Sequence, residues 1–241
     1  MSDNSRYAHI EGRRDIVFDV NAKSILGKID AVVFDLDGTL TDSIGQMLSC
    51  THTTFEYLSL PQPDDKAIMS TIGLELGEAL TSLLPEDKKH LGPSVTKDYR
   101  EIFKSRRDLQ LDTLFLGIEP LMKKLRELDI KIGYASGRSM QGIERTMNAT
   151  FLGKYCDGIC AGSEVPSKPD PTMMHILCKR LKVEESRVLG VGDSGLDINM
   201  YQNAGCFSLG VQTGVWSGDA LTKLKPNILL KGVGDLTAYF N

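Results

Sequence analysis

From Asp30 onward, short apolar runs alternate with amphipathic helical patterns, and this alternation restricts the chain more than any other feature. Ala31-Val32-Val33-Phe34 is apolar, largely β-branched and stopped by Gly38, which predicts a buried strand. Ile130 to Ala135 and Val188 to Val191 read the same way. Cys206 to Val211 is a fourth candidate and Asn227 to Leu230 a fifth. Between them, Leu121, Leu125 and Leu128 fall at helical spacing behind Pro120, which suits a first helical position. Pro171 opens another helix, with Asp170 as its cap and Met174, Leu177 and Leu181 as its apolar stripe. Strand, helix, strand repetition predicts an α/β fold, a Rossmann-like parallel sheet covered on both faces.

One segment breaks the rhythm. Residues 43–113 hold several helical patterns punctuated by Pro61, Pro63 and Pro85, with no convincing strand. A helical stretch between the first and second strands of such a sheet reads as an inserted α-helical cap domain. The expected layout is an N-terminal extension over 1–28, a catalytic core over 29–42 and 114–241, and the cap over 43–113. Within the extension, Asp15 to Val20 is either an extra edge strand or part of a loose attachment.

Composition narrows the classes. The chain has 241 residues, 41% hydrophobic and 25% charged, enough to bury a sizeable core without disulfides or a structural metal. A net charge of −4 with no basic stripe argues against nucleic acid as a partner. Cys50, Cys156, Cys160, Cys178 and Cys206 are odd in number and scattered, as reduced thiols in a cytoplasmic protein would be. No second pair or nearby histidine makes a zinc site of Cys156 and Cys160. The polar N-terminus is unlike a signal peptide, and no run approaches a membrane span. Nothing marks an oligomer interface.

The chemistry concentrates in Phe34-Asp35-Leu36-Asp37-Gly38-Thr39-Leu40. Residues i and i+2 of a strand point the same way, so Asp35 and Asp37 emerge together at the strand's end, where open α/β sheets bind ligands. Neighbouring carboxylates repel, and both ionise comfortably only beside a cation. Alone, such a stretch is a polar turn; Asp19-Val20-Asn21 follows an apolar run too and carries no role. Three further elements follow in order. Ser136-Gly137-Arg138 ends the second strand, where a hydroxyl and a backbone N–H can hold phosphate oxygens. Lys168 precedes Pro169 and is a good point charge for phosphate. Asp193 and Asp197, in Gly192-Asp193-Ser194-Gly195-Leu196-Asp197, stand about one helical turn apart at the next strand end, as metal ligands or as helix caps.

In that order, Asp-Leu-Asp-Gly-Thr-Leu, Ser136, Lys168-Pro169 and Gly-Asp-Ser-x-x-Asp resemble the four motifs of the haloacid dehalogenase superfamily, over about Asp30 to Leu236. Thr41-Asp42-Ser43 and Gln202 to Cys206 resemble its helical-cap branch, typified by phosphoglycolate phosphatases. The resemblance implies a magnesium-dependent phosphohydrolase acting on a small phosphorylated metabolite. Asp35 would attack phosphorus and form an aspartyl-phosphate; Asp37 would act as acid and then base. Ser136, the Gly137 amide and Lys168 would hold phosphoryl oxygens. Asp35, the Asp37 backbone carbonyl and Asp193 would bind Mg2+, with Asp197 supporting them from behind. Arg138 departs from the pattern: it either reaches the substrate or lies on the helix surface.

Within the superfamily, Asp37 argues against dehalogenases and against phosphonate-cleaving relatives, to which Lys66 alone would point. Hexose-phosphate mutases keep both aspartates and remain the enzyme alternative, but they tend to carry a histidine where this chain has Met47, and His52 lies too far along. A non-catalytic binding protein on the same fold is the alternative of another class; the presence of Asp35, Asp37, Lys168 and Asp193 argues against it. The turn Thr71 to Leu76 is expected to face the site, with Leu74 or Glu75 tuning substrate choice.

Overall fold

The computed structural model describes residues 22–106 and 113–240, with the backbone of residues 7–8 and 18–19. Tyr7–Ala8 (β1) and Phe18–Asp19 (β2) pair antiparallel, apart from the main sheet. The rest of the Asp15 to Val20 stretch lies outside the described residues. The main sheet comprises Ala31–Phe34 (β3), Lys131–Ser136 (β4), Gly158–Ala161 (β5), Val188–Gly192 (β6), Phe207–Val211 (β7) and Ile228–Leu230 (β8). Its order is β5-β4-β3-β6-β7-β8, and every pairing is parallel. The α/β expectation is therefore met.

Both faces of the sheet are covered. On one side lie Ala22–Leu26 (α1), Ile118–Glu127 (α6) and Met140–Ala149 (α7); on the other, Thr172–Leu181 (α8) and Gly195–Asn203 (α9). β3 shows why its sequence is apolar throughout. Val32 and Phe34 join the cluster of Leu121, Leu125 and Ile143, while Ala31 and Val33 join that of Leu177, Leu181 and Tyr201. The chain runs outward from β3 to β5, then returns to place β6 beside β3. This reversal leaves a crevice at the carboxyl ends of β3 and β6, where such sheets bind ligands.

Between β3 and β4 the chain forms Ile44–Tyr57 (α2), Asp65–Thr71 (α3), Leu76–Ser82 (α4) and Gly92–Ser105 (α5), the last entered through a 3-10 turn at Glu86–Leu91. These helices bury an apolar cluster of their own, including Cys50, Phe55, Leu84, Val95 and Tyr99. A short helix, Gly218–Lys223 (α10), links β7 to β8.

Several local expectations change. Pro120 is the third residue of α6, not the first; Gly117 caps that helix at φ 82°, and a first-turn N–H has no intrahelical partner to lose. Leu121 and Leu125 are fully buried, whereas Leu128 falls past the helix end and is 45% exposed. At α8, Pro171 occupies the cap position, while the Asp170 carboxylate accepts from the Thr172 N–H at 2.9 Å. β5 was not expected: Gly158-Ile159-Cys160-Ala161 is short and has one β-branched residue. Within the 1–28 stretch, α1 packs Ala22 and Leu26 against the core. The five cysteines are all free, and among the described residues no helix is long and apolar enough to cross a membrane.

Candidate active site

The crevice collects side chains from four separate stretches. Asp35 follows β3 directly, and its backbone N–H still pairs with the Val191 carbonyl at 2.9 Å. Asp193 follows β6, Ser136 ends β4, and Lys168 lies on the loop before α8. All four are at least 97% buried.

Lys168 is the hub. Its ammonium donates to Asp35 Oδ1 at 2.6 Å, to Asp197 Oδ1 at 2.7 Å and to the Ala135 carbonyl at 3.1 Å. Those three bonds use all the donors an ammonium has. The residue expected to hold phosphate also holds the nucleophile candidate, and a phosphate oxygen would have to displace or share one of these bonds. Burial works against the charge on Lys168, yet Asp197 and Asp35 together hold its pKa above the ordinary value.

The carboxylates are under opposing pressure. Oxygens of Asp35, Asp193 and Asp197 lie within 4.8 Å of one another. Burial foremost pushes Asp35 well above its usual range; Asp197, Asp193 and Asp37 push the same way, and Lys168 pulls back. Asp193 is pushed up to about 7 by burial and then by Asp197, against bonds from the Val215 N–H at 2.9 Å and the Thr39 hydroxyl at 2.9 Å. Three buried acids facing one ammonium form a hard-oxygen site with an excess of negative charge. A divalent cation such as magnesium fits that donor set.

Asp197 serves two partners. Its Oδ1 takes the Lys168 bond, and its Oδ2 accepts from the Ser194 hydroxyl at 2.5 Å and the Ser194 N–H at 3.2 Å. Ser194, not Asp193, caps α9, and Asp197 completes the capping box. One side chain thus completes the helix cap and anchors Lys168.

Asp37 stands apart from that cluster. Arg138 grips its carboxylate with Nε at 2.9 Å from Oδ2 and Nη2 at 2.6 Å from Oδ1, and the Ser43 hydroxyl donates at 2.5 Å. Burial opposes the Asp37 charge, but Arg138 and Ser43 hold its pKa below the ordinary value. Arg138 therefore does not lie on the helix surface: it is the partner of the second aspartate, braced by a 2.6 Å bond from Nη1 to the Thr146 hydroxyl. The turn that separates the two aspartates depends on Gly38, at φ +81°, where a Cβ would lie 2.7 Å from Asp193 Oδ2.

The helical insert closes against these loops. A Cβ on Gly137 would meet the Leu74 carbonyl at 2.3 Å, so only glycine permits the approach of the two backbones. The Glu75 N–H donates to the Ser167 hydroxyl at 3.2 Å. Leu74 lines the resulting cavity; Glu75 does not, because its carboxylate caps α4 through the Gly77 and Glu78 N–H groups. Met47 also lines the cavity. Lys66 is exposed on α3, and His52 pairs with Gln62 and Asp65 on the outside of the insert.

Sequence reasoning missed Thr39, the Arg138–Asp37 pair, the role of Ser43, and the loop Thr213 to Val215. That loop wraps Asp193 so closely that a Cβ on Gly214 would lie 1.8 Å from Oδ2. Thr39 and Ser43 lie beside or within motifs already singled out; the loop has no local signal.

The chain is similar to several known proteins. The family model for haloacid dehalogenase-like hydrolases matches residues 32–211. "Probable phosphatase IndB" of Dickeya dadantii is 29% identical over 203 residues, covering 83% of this chain and 88% of that protein. A phosphoglycolate phosphatase of Vibrio parahaemolyticus is 25% identical, covering 86% and 94%. Among solved structures, a haloacid dehalogenase-like hydrolase from Bacteroides fragilis superposes with a TM-score of 0.77 at 26% identity, covering 87% of this chain and all of that one.

Proposed function

The chain belongs to the haloacid dehalogenase-like hydrolases, and from that premise we propose that it hydrolyses a small-molecule phosphate monoester through an aspartyl-phosphate on Asp35. The observation that carries this reading is the Lys168–Asp35 pair at 2.6 Å beside Asp193 and Asp197, with Asp37 two residues away on its own guanidinium.

Asp35 acts as the nucleophile. Lys168 orients its carboxylate and favours the ionised form against burial and the neighbouring carboxylates. The Ser136 hydroxyl and the Gly137 N–H receive phosphoryl oxygens. Asp37, ionised beside Arg138, must take up a proton before it can give one to the leaving oxygen, and it later takes one back from the attacking water. Asp35, Asp193 and the Asp37 carbonyl would hold magnesium, which when bound offsets charge on the phosphoryl oxygens. Asp197 fixes Lys168 and the start of α9. Residues 43–113 serve as the cap that excludes water from the crevice. The cytoplasm suits such an enzyme and its five free cysteines.

The direct test is phosphate release from 4-nitrophenyl phosphate with magnesium and with a chelator. Turnover that requires the metal is expected; no turnover in either condition would remove the proposal.

Metal binding has a readout independent of turnover. Saturating magnesium is expected to raise Tm by roughly 5–10 °C, from about 2.7 kcal/mol at a hundredfold excess over Kd and about 2–4 °C per kcal/mol. Asp193 has a folded pKa raised from 3.8 to about 7. Between those values the folded chain binds more protons than the unfolded one, so this group costs stability as pH rises. Magnesium competes with those protons, and the Tm gain should grow from about pH 4 to about pH 7 and then level off. An increment that is absent, or flat with pH, would contradict the assigned site.

Arg138 is assigned as a positioning residue for Asp37. Arg138→Gln should lower kcat on an alkyl phosphate roughly ten- to a hundredfold, a share of the ~10²–10⁴ that acid–base catalysis supplies. On 4-nitrophenyl phosphate, whose leaving group needs little protonation, the loss should be only about a few-fold. Arg138→Lys should not restore the rate, because the two-pronged grip needs a planar guanidinium. Equal losses on both esters would show that Arg138 does not act through Asp37.

A further inference from the structure

We propose that the ester accepted here carries a bulky, largely apolar leaving group, an aromatic or alicyclic alcohol, and not a small acid. This inference rests on the phosphohydrolase reading and adds the substrate class to it. A cavity of about 420 Å³ opens at Asp37, Gly137 and Arg138 and runs into the helical insert; Asp35, Lys168 and Asp193 do not line it. With Asp35 attacking phosphorus and Asp37 serving the leaving oxygen, space that begins at Asp37 belongs to the leaving group.

The insert supplies the apolar walls of that space, and Ser139, Gln141 and Arg145 line it from the core. Met47 comes from α2, Ile68 from α3, Ile72 from the residue after it, Leu80 and Leu83 from α4 and its end, and Phe103 from α5. Pockets of about 300–1,000 Å³ with mainly apolar walls and a few placed polar groups are those that bury drug-sized ligands. A two-carbon acid would leave most of this volume unfilled, and its carboxylate would have to compete for cations already engaged within the protein. A ring removes apolar area from water on both sides.

The cations around the cavity do not overturn this argument, because each engages the protein itself. Arg138 holds Asp37, Arg100 lies 3.8 Å from Glu75, and Lys104 lies 3.2 Å from Glu101. The Arg145 guanidinium sits 4.7 Å over the Phe103 ring, which joins α7 of the core to α5 of the insert.

The test compares kcat/KM for ethyl phosphate, 2-phenylethyl phosphate and phosphoglycolate, with 4-nitrophenyl phosphate as the control for chemical competence. Both alkyl esters leave as primary alcohols, so their difference reports the cavity. The phenylethyl ester is expected to exceed the ethyl ester by at least about tenfold, the low end of what burying a phenyl-sized group yields, and to exceed phosphoglycolate as well. Ala79 lines the cavity on α4, and Ala79→Phe should bring the phenylethyl-to-ethyl ratio back toward one. A wild-type ratio near one, or a preference for phosphoglycolate, overturns the inference while turnover of 4-nitrophenyl phosphate leaves the hydrolase reading standing. Failure to hydrolyse any of the four esters overturns both.

Discussion

Asp35→Asn is expected to abolish phosphate release, by on the order of 10⁴-fold or more, the scale seen when one member of a catalytic unit is lost. It should do so without loss of stability. Asparagine keeps an oxygen for the Lys168 ammonium, which retains its 2.7 Å bond to Asp197. What disappears is one negative charge from a cluster in which burial, Asp197, Asp193 and Asp37 all oppose the ionised form. Tm without metal should therefore equal or exceed that of the wild type, while initial rates on 4-nitrophenyl phosphate fall to background. A variant that turns over at more than a hundredth of the wild-type rate would exclude Asp35 as nucleophile. One that loses both rate and Tm would indicate a structural role instead.

The first motif was legible because strand geometry and chemistry coincide there: Ala31 to Phe34 is apolar on both faces, and the chain changes abruptly to carboxylates where the sheet ends. β4, β6, β7 and β8 announced themselves by runs of similar character. β5 did not, since an edge strand of glycine, isoleucine, cysteine and alanine has almost no pattern to read. Leu128 matched the helical period but not the helix end, and end positions depend on backbone geometry that periodicity does not encode.

Within the site, residues carried on motifs were readable and their mutual contacts were not. Thr39 and Asp193 are 154 positions apart, and Arg138 and Asp37 are 101 apart. Only the return of β6 to the flank of β3 makes the first pair neighbours. Sequence placed Lys168 near phosphate by chemical type; packing shows its three donors committed to Asp35, Asp197 and a carbonyl. Arg138 left two open readings because its role depends on where Asp37 points after the Gly38 turn. The cavity was invisible for the same reason, its walls being drawn from four helices and closed by contact with the core.

The second large effect concerns that hub. Lys168→Met is expected to lower stability by about 3–5 kcal/mol, the usual result of removing one partner from a buried ion pair. It should also reduce turnover to near background. Methionine fills similar volume, so the loss would not be one of packing. It would arise because Asp35 and Asp197, each with a side chain at most 4% exposed, would share the crevice with Asp193 and no ammonium. The chain's remedy is to protonate Asp35, which removes the nucleophile as well. This account predicts a sign reversal that a packing defect would not give. Asp197→Asn alone should destabilise, since it weakens the Lys168 anchor and the Ser194 cap. Added to Lys168→Met, the same change should recover part of the lost stability, because it deletes a charge that no longer has a partner. Thermal melts of the two single variants and the double variant, all without metal, complete the cycle. Additive losses would refute the charge-balance argument, and full stability of Lys168→Met would show that the ammonium is not what holds the carboxylates together.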